Sequence, residues 1–234
     1  MKKVIVTTSW DDGHVLDLKL SELLKKYSIK GTFYVAPQNR DFEKSQLLSD
    51  LQLQSLSQDF EIGAHTMTHP RLGHISLAEA NKEIKGSKEY LEELLQKPVE
   101  SFCYPGGSYN FMNAQQVKKC GFLLARTVKR FSSSNNNNPY EIPTSLQAYN
   151  HRSDLWQIVR FANFNPIKFV KYYNNWDLLV MAMFDRVKDE GGVFHLWGHS
   201  WEIDKKHFWK KLESVFEYIG NQPDVDYVTN RELL

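Results

Sequence analysis

Two groups of residues in this chain have types and spacings that invite chemistry: adjacent carboxylates at Asp11-Asp12, followed by Gly13, and a histidine pair spaced His65-x-x-x-His69. Two imidazoles four apart on a turn of helix can ligate one metal ion, and a carboxylate from elsewhere completes a His-His-Asp set that leaves one coordination position open for water. Each signal alone is weak. Asp-Asp-Gly is also a plain turn sequence, and His-x-x-x-His arises by chance among solvated or core histidines. Together they point to metal-assisted hydrolysis, in which a divalent cation makes hydroxide available near neutral pH and polarises a carbonyl. Tyr104-Pro105-Gly106-Gly107, Arg126, His195 and His199 extend the set.

The elements that must position these residues follow from the hydrophobic pattern. Residues 4–9 read as a buried strand, and Leu16, Leu20, Leu23, Leu24 and Tyr27 as the face of a helix. Strands are expected at 32–36, 61–65, 99–104, 123–128, 142–147, 193–197 and 227–229. Helical stretches are expected at 46–56, from the capping box Ser76-x-x-Glu79 onward, at 113–119 up to Gly121, at 176–187 before Gly191-Gly192, and along Phe208, Leu212, Val215, Phe216 and Ile219. An aromatic-rich loop is expected between 147 and 176. Seven or eight β/α units argue a parallel sheet, most economically a closed or nearly closed barrel, with a doubly wound open sheet as the alternative. No Gly-x-Gly-x-x-Gly follows the first strand, against a dinucleotide site. In a barrel the reactive residues, each just beyond a strand, share the face built from the βα loops.

Composition narrows the class. The 234 residues carry 29 Lys+Arg against 28 Asp+Glu, a net charge of +1, which offers neither the basic excess of a nucleic-acid binder nor an acidic solvating tail. An apolar share of 41% and an aromatic share of 13% suit a globular domain, and no apolar run reaches the ~18 residues of a membrane span. Residues 1–234 therefore read as one catalytic domain, with 132–139 as a surface loop. Met1-Lys2-Lys3 is followed too soon by carboxylates to be a secretory signal. Cys103 and Cys120 make no disulfide framework, so a reduced, cytoplasmic enzyme is expected, although a signal already removed would leave the same sequence.

With these motifs in order, the chain resembles the polysaccharide deacetylases of carbohydrate esterase family 4, the nodulation-protein-like deacetylases. Ser9-Trp10-Asp11-Asp12-Gly13 is similar to the family's Thr-Phe-Asp-Asp-Gly, and Glu61–His69 to its His-Ser/Thr-x-x-His with the preceding Ile-Gly. The segment from Phe102 to Gly107 resembles its Arg-x-Pro-Tyr-Gly loop, and Leu196-Trp197-Gly198-His199 its late Leu-x-x-His. The resemblance runs from Val4 to about Glu202. It implies a distorted (β/α)7–8 barrel and removal of an N-acetyl group from an amino sugar or polysaccharide, with release of acetate. Asp12, His65 and His69 would hold a divalent metal, usually zinc, with cobalt or nickel possible. Asp11 would be the general base and His199 the general acid, a role that suits an imidazole of ordinary pKa about 6.5. A backbone amide of the Gly106-Gly107 turn would meet the oxyanion.

The pattern departs from the family at one motif. The family's third motif opens with an arginine that pairs with the base aspartate; here that position is Cys103, and the motif tyrosine falls at Gly106. A thiol cannot replace a guanidinium. Arg126 is the candidate replacement and a candidate substrate contact, or else an ordinary surface arginine. His195, alternating with Leu196, is expected inside the barrel rather than acting as the acid. His14 either lines the pocket or starts a helix, and His74, His151 and His207 are surface or structural. Cys103 as a nucleophile has no supporting motif. Trp10, Tyr104, Tyr109, Trp197 and Trp201 are candidates for a sugar-stacking platform. Residues 161–176 form either a substrate lip or a packing cluster. The expected partner is a carbohydrate, with no nucleic acid and no membrane, and the oligomeric state is open. Two rivals stand beside the deacetylase: an amidohydrolase of the same fold acting on a non-sugar amide, and a silent carbohydrate-binding barrel.

Overall fold

The computed structural model describes residues 3–134 and 138–234; Met1, Lys2 and the asparagines 135–137 of the expected surface loop lie outside the described residues. The β-branched run Val4-Ile5-Val6-Thr7-Thr8 starts β1 (Val4–Asp12), which runs three residues further than the apolar pattern and so carries both aspartates on its end. In chain order follow α1 (Asp17–Lys26), β2 (Thr32–Val35), α2 (Asp50–Leu56), β3 (Glu61–Ala64), α3 (Leu77–Leu95), β4 (Ser101–Cys103), α4 (Phe111–Lys119) and β5 (Leu124–Arg126). The second half contains β6 (Leu146–Gln147), α5 (Leu155–Phe161), α6 (Pro166–Asn174), α7 (Trp176–Glu190), β7 (Gly192–Gly198), α8 (Ser200–Lys205), α9 (Trp209–Ile219) and β8 (Asp226–Tyr227). The capping box that opens α3 is formed, with Ser76 Oγ accepting the Glu79 N–H.

All strand pairings between these elements are parallel, in the order β5-β4-β3-β2-β1-β7-β6, with β8 beside the start of β1. The two ends of this order nearly meet. Ile142 bridges to Arg126 of β5, while Leu146 and Gln147, a few residues on, pair with β7. The stretch expected as a strand over 142–147 thus ladders to one edge with its start and to the other with its end. The result is a distorted barrel with an irregular seam between β5 and β6.

The barrel's inside is polar in layers. Along β1, Thr7 donates to Asn230 Oδ1 (2.9 Å), Ser9 Oγ meets His195 Nε2 (2.8 Å), and Asp11 pairs with Arg126. The alternate residue Trp10 instead packs edge-on against Phe216 of α9, at 6.0 Å between ring centroids. Trp10 is fully buried there, and this removes it from the candidate sugar platform. The aromatic stretch expected as a loop holds α5 and α6. Their aromatic, β-branched and asparagine residues have weak intrinsic helix propensity, so the stretch does not announce helices in the sequence.

Candidate active site

Strand alternation would send the Asp11 and Asp12 side chains to opposite faces. Asp12 avoids this by taking a left-handed φ of 88°, followed by Gly13 at 72°, a backbone state that costs a non-glycine residue about 1–3 kcal/mol. Both carboxylates consequently face the C-terminal mouth of the barrel.

The histidine pair is not on a turn of helix, as the spacing had suggested. It lies in a tight loop after β3 with left-handed residues at Thr66 and His69. Glu83 of α3 ties that loop down by accepting the N–H groups of Met67 (2.9 Å) and Thr68 (2.8 Å) and the Thr68 hydroxyl (2.7 Å). Each ring is then oriented by its other nitrogen. His65 Nδ1 donates to the Cys103 carbonyl (2.8 Å) and His69 Nδ1 to Asp41 Oδ2 (2.6 Å). Because both partners only accept, each Nδ1 carries the hydrogen and each Nε2 is the ring nitrogen left to face the cleft. Burial, above all, holds His65 neutral, with its pKa down to about 4.

The two Nε2 atoms converge on Asp12 Oδ1, 3.8 Å from His65 and 3.2 Å from His69, and that oxygen is buried without a hydrogen bond. Three possible ligand atoms, one from each residue, thus lie mutually within 4.8 Å. Ligand atoms about 2.1 Å from a tetrahedral ion stand roughly 3.4 Å apart, so the donor set fits a small divalent cation. Asp12 Oδ2 is taken by the Trp201 indole N–H (2.8 Å).

Asp11 lies beside this cluster. Burial alone would raise its pKa, but the Arg126 guanidinium, then His65 and His199, outweigh that and hold the carboxyl below its usual range. Arg126 is fully buried and is the cross-strand register partner of Cys103, so its guanidinium enters from β5 at the level where β4 carries the thiol. It donates to Asp11 Oδ1 and lies between the rings of Tyr34 and Trp197, 5.4 and 4.5 Å from their centroids. It is therefore neither a surface arginine nor a substrate contact. Cys103 is buried with its thiol pKa pushed up by burial, and its S–H points to Asp11 Oδ2 at 3.7 Å; as a protonated donor it is no nucleophile.

His199 caps the N-terminus of α8, with Nε2 4.0 Å from a carboxylate oxygen of each aspartate. Its Nδ1 donates to Glu202 Oε2 (2.5 Å), and Glu202 in turn accepts from the Tyr149 hydroxyl (2.7 Å). Burial works against the imidazolium, but the Glu202 hydrogen bond and the charges of Asp12 and Asp11 prevail and raise its pKa to about 9. His195 is interior, with burial lowering its pKa to about 3.

A cleft of about 340 Å³ opens over these groups, lined by Asp11, Asp12, His65, His69, His199 and Gly106, and walled by Asp41, Phe42, Val128, Trp197 and Trp201. Several expected contacts lie elsewhere. Tyr104 is fully buried, its hydroxyl donating to the Tyr140 carbonyl (3.0 Å) and its ring stacked on Tyr109, so neither tyrosine reaches the cleft. Gly107 spends its N–H on the Tyr104 carbonyl (2.9 Å) and sits against Val128, which leaves Gly106 as the turn residue on the cleft wall. His14 packs on Phe42 below the wall, His74 and His207 are exposed, and His151 bonds Gln147. Sequence reasoning missed Glu202, Asp41 and Phe42. The i, i+3 spacing from His199 is a signal for Glu202; nothing local marks Asp41, which is 28 residues from His69.

Comparison with known proteins agrees with this geometry. The family model described as polysaccharide deacetylase matches residues 1–125. A poly-β-1,6-N-acetyl-D-glucosamine N-deacetylase of Staphylococcus aureus is 25% identical over 150 residues, 57% of this chain and 52% of that protein. The solved Streptococcus pyogenes deacetylase PplD, in complex with acetate, is 25% identical with a TM-score of 0.55, covering 58% of this chain and 62% of that one. A Mycobacterium smegmatis structure named for the polysaccharide deacetylases shares the fold over 99% of this chain and 89% of that one, at 16% identity and a TM-score of 0.69. The chain spans about half the length of the curated relatives it matches. A match over more than half the sequence, on a barrel whose mouth gathers that family's aspartates and histidines, places this chain in the polysaccharide deacetylase family.

Proposed function

We propose that the chain, acting as one catalytic unit, is a metal-dependent hydrolase that removes an N-acetyl group from an amino sugar of a polysaccharide and releases acetate. The observation that carries this reading is the convergence of Asp12 Oδ1, His65 Nε2 and His69 Nε2 beside an independently held carboxylate, Asp11. Asp12, His65 and His69 hold the cation, zinc first among zinc, cobalt and nickel for a site of two imidazoles and one carboxylate. When bound, a divalent ion supplies a Lewis acid for the acetyl carbonyl and a water of lowered pKa, about 7 for zinc.

The protein's own groups divide the proton transfers. Asp11, kept ionised by Arg126, accepts a proton from the attacking water as the new C–O bond forms. Its second oxygen is aligned by the Cys103 S–H. The Gly106 N–H is the backbone donor for the oxyanion that develops. His199, cationic at neutral pH and fixed by Glu202, protonates the nitrogen as the C–N bond breaks, so the sugar leaves as a neutral amine. Phe42, Trp197 and Trp201 offer aromatic walls to the C–H faces of a sugar ring.

Acetate release from N-acetylglucosamine oligomers tests the proposal. Release that stops on chelation and returns with zinc is expected. Metal binding without turnover, or turnover only of non-sugar amides, would overturn it.

A further inference from the structure

Helix α6 is anomalous on physical grounds. Its inner side carries the half-buried rings of Phe169, Tyr172 and Tyr173, yet its exposed side sets Ile167 and Val170 beside Lys168 and Lys171, and none of its nine residues is fully buried. Large apolar side chains exposed among cations on one helix are the pattern of a helix that lies against an interface. Ile167 is 80% exposed and Val170 54%, and the preceding turn lifts Phe164 out to 67% through left-handed φ values at Asn163 and Phe164. Trp156 of α5, 53% exposed, stands 6.2 Å from the Phe164 ring, and Ile167 and Val170 follow Phe164 at three-residue steps. Residues scattered singly would need no explanation, but these four exposed side chains are gathered on one pair of consecutive helices and their joining turn.

Charge indicates what covers it. Residues 155–175 contain Arg160, Lys168 and Lys171 and no Asp or Glu, a net +3 in a chain whose total is +1. All three cations are exposed, and the Arg160 guanidinium lies 5.4 Å from the centre of the Trp156 ring. Aromatic and aliphatic tips flanked by cations, with no carboxylate, match an interface that is apolar just below an anionic layer. We propose that the α5–α6 hairpin is an adsorption surface for anionic phospholipid bilayers, with Phe164 and Ile167 dipping below the headgroups and Lys168 and Lys171 resting on them. Among the described residues no helix is long and apolar enough to cross a membrane, so the contact is peripheral.

Co-sedimentation of the full chain with phosphatidylcholine vesicles, with and without phosphatidylglycerol, tests this. Binding to the anionic vesicles should exceed binding to the neutral ones by roughly tenfold or more and weaken at high salt. The exposed double variants Phe164→Asp/Ile167→Asp and Lys168→Glu/Lys171→Glu should each abolish that preference while leaving the circular dichroism spectrum and thermal midpoint unchanged. Failure to bind either vesicle, or binding indifferent to both variants, would overturn the proposal. So would a dimer in light scattering that Ile167→Asp dissociates, because a second copy would then be the occupant.

Discussion

Asp11 and Asp12 are neighbours with different tasks, and their surroundings separate them. Asp12 presents an oxygen without a hydrogen bond to the Nε2 atoms of two imidazoles, whereas Asp11 is held by a guanidinium and a thiol. Asp11→Asn should keep the bound metal, measured by elemental analysis, and lose about 10²–10⁴ in kcat, the usual contribution of one positioned proton-transfer group. His65→Ala should instead lose the metal itself; unchanged metal content would remove His65 from the ligand set. The register pairing of Cys103 with Arg126 gives a sharper test. Arg126→Cys alone should be nearly inactive, since Asp11 loses its counter-charge. The double variant Cys103→Arg/Arg126→Cys, which moves the guanidinium one strand over at the same level, should recover much of the rate. If the double variant stays as inactive as the single one, Arg126 does more than balance Asp11.

At the scale of elements, the site depends on pieces that carry no catalytic group. Helix α3 reaches the 65–69 loop through Glu83, which satisfies two N–H groups of a segment with two left-handed residues. Glu83→Ala leaves both donors without that partner, at about 1–3 kcal/mol each where water cannot replace it. Metal affinity by calorimetry should therefore fall although no ligand is touched. An unchanged dissociation constant would show that the loop holds its shape without α3. The same dependence explains what could be read beforehand. The ends of β1, β3 and β7 were legible because buried strands and turn residues are local signals. The shape of the 65–69 loop was not, because a contact from Glu83 and two left-handed residues override the helical spacing of the histidines. Helices α5 and α6 were hidden because aromatic, β-branched and asparagine residues have weak intrinsic helix propensity.

Taken as a whole, the barrel keeps titratable groups in its interior, and this sets how its stability responds to pH. In the metal-free protein His65 and His195 bind protons only near pH 4 and 3, whereas unfolded histidines do so near 6.5. Below about 6.5 the unfolded state therefore binds more protons, and stability falls toward acid by up to about 1.4 kcal/mol per pH unit for each histidine. His199 acts in the opposite sense. Its folded pKa of about 9 gives a contribution that is complete below 6.5 and lost as pH rises through 9. Urea unfolding of chelated protein should thus be most resistant near neutrality, and His195→Gln should flatten the acid limb without altering the alkaline one. Equal acid limbs in the two proteins would contradict the buried neutral state of His195. The sequence by itself determined which residue types stand at the strand ends, the alternation of strands and helices, and the family likeness, because propensity, hydrophobic period and motif spacing are properties of adjacent residues. Tertiary structure alone decided that Asp12 turns inward on a left-handed φ, that Arg126 stands beside Cys103, that Asp41 steadies His69, and that α6 exposes Ile167 and Val170. Those outcomes depend on strand register and on contacts between residues far apart in the chain, which no local pattern encodes.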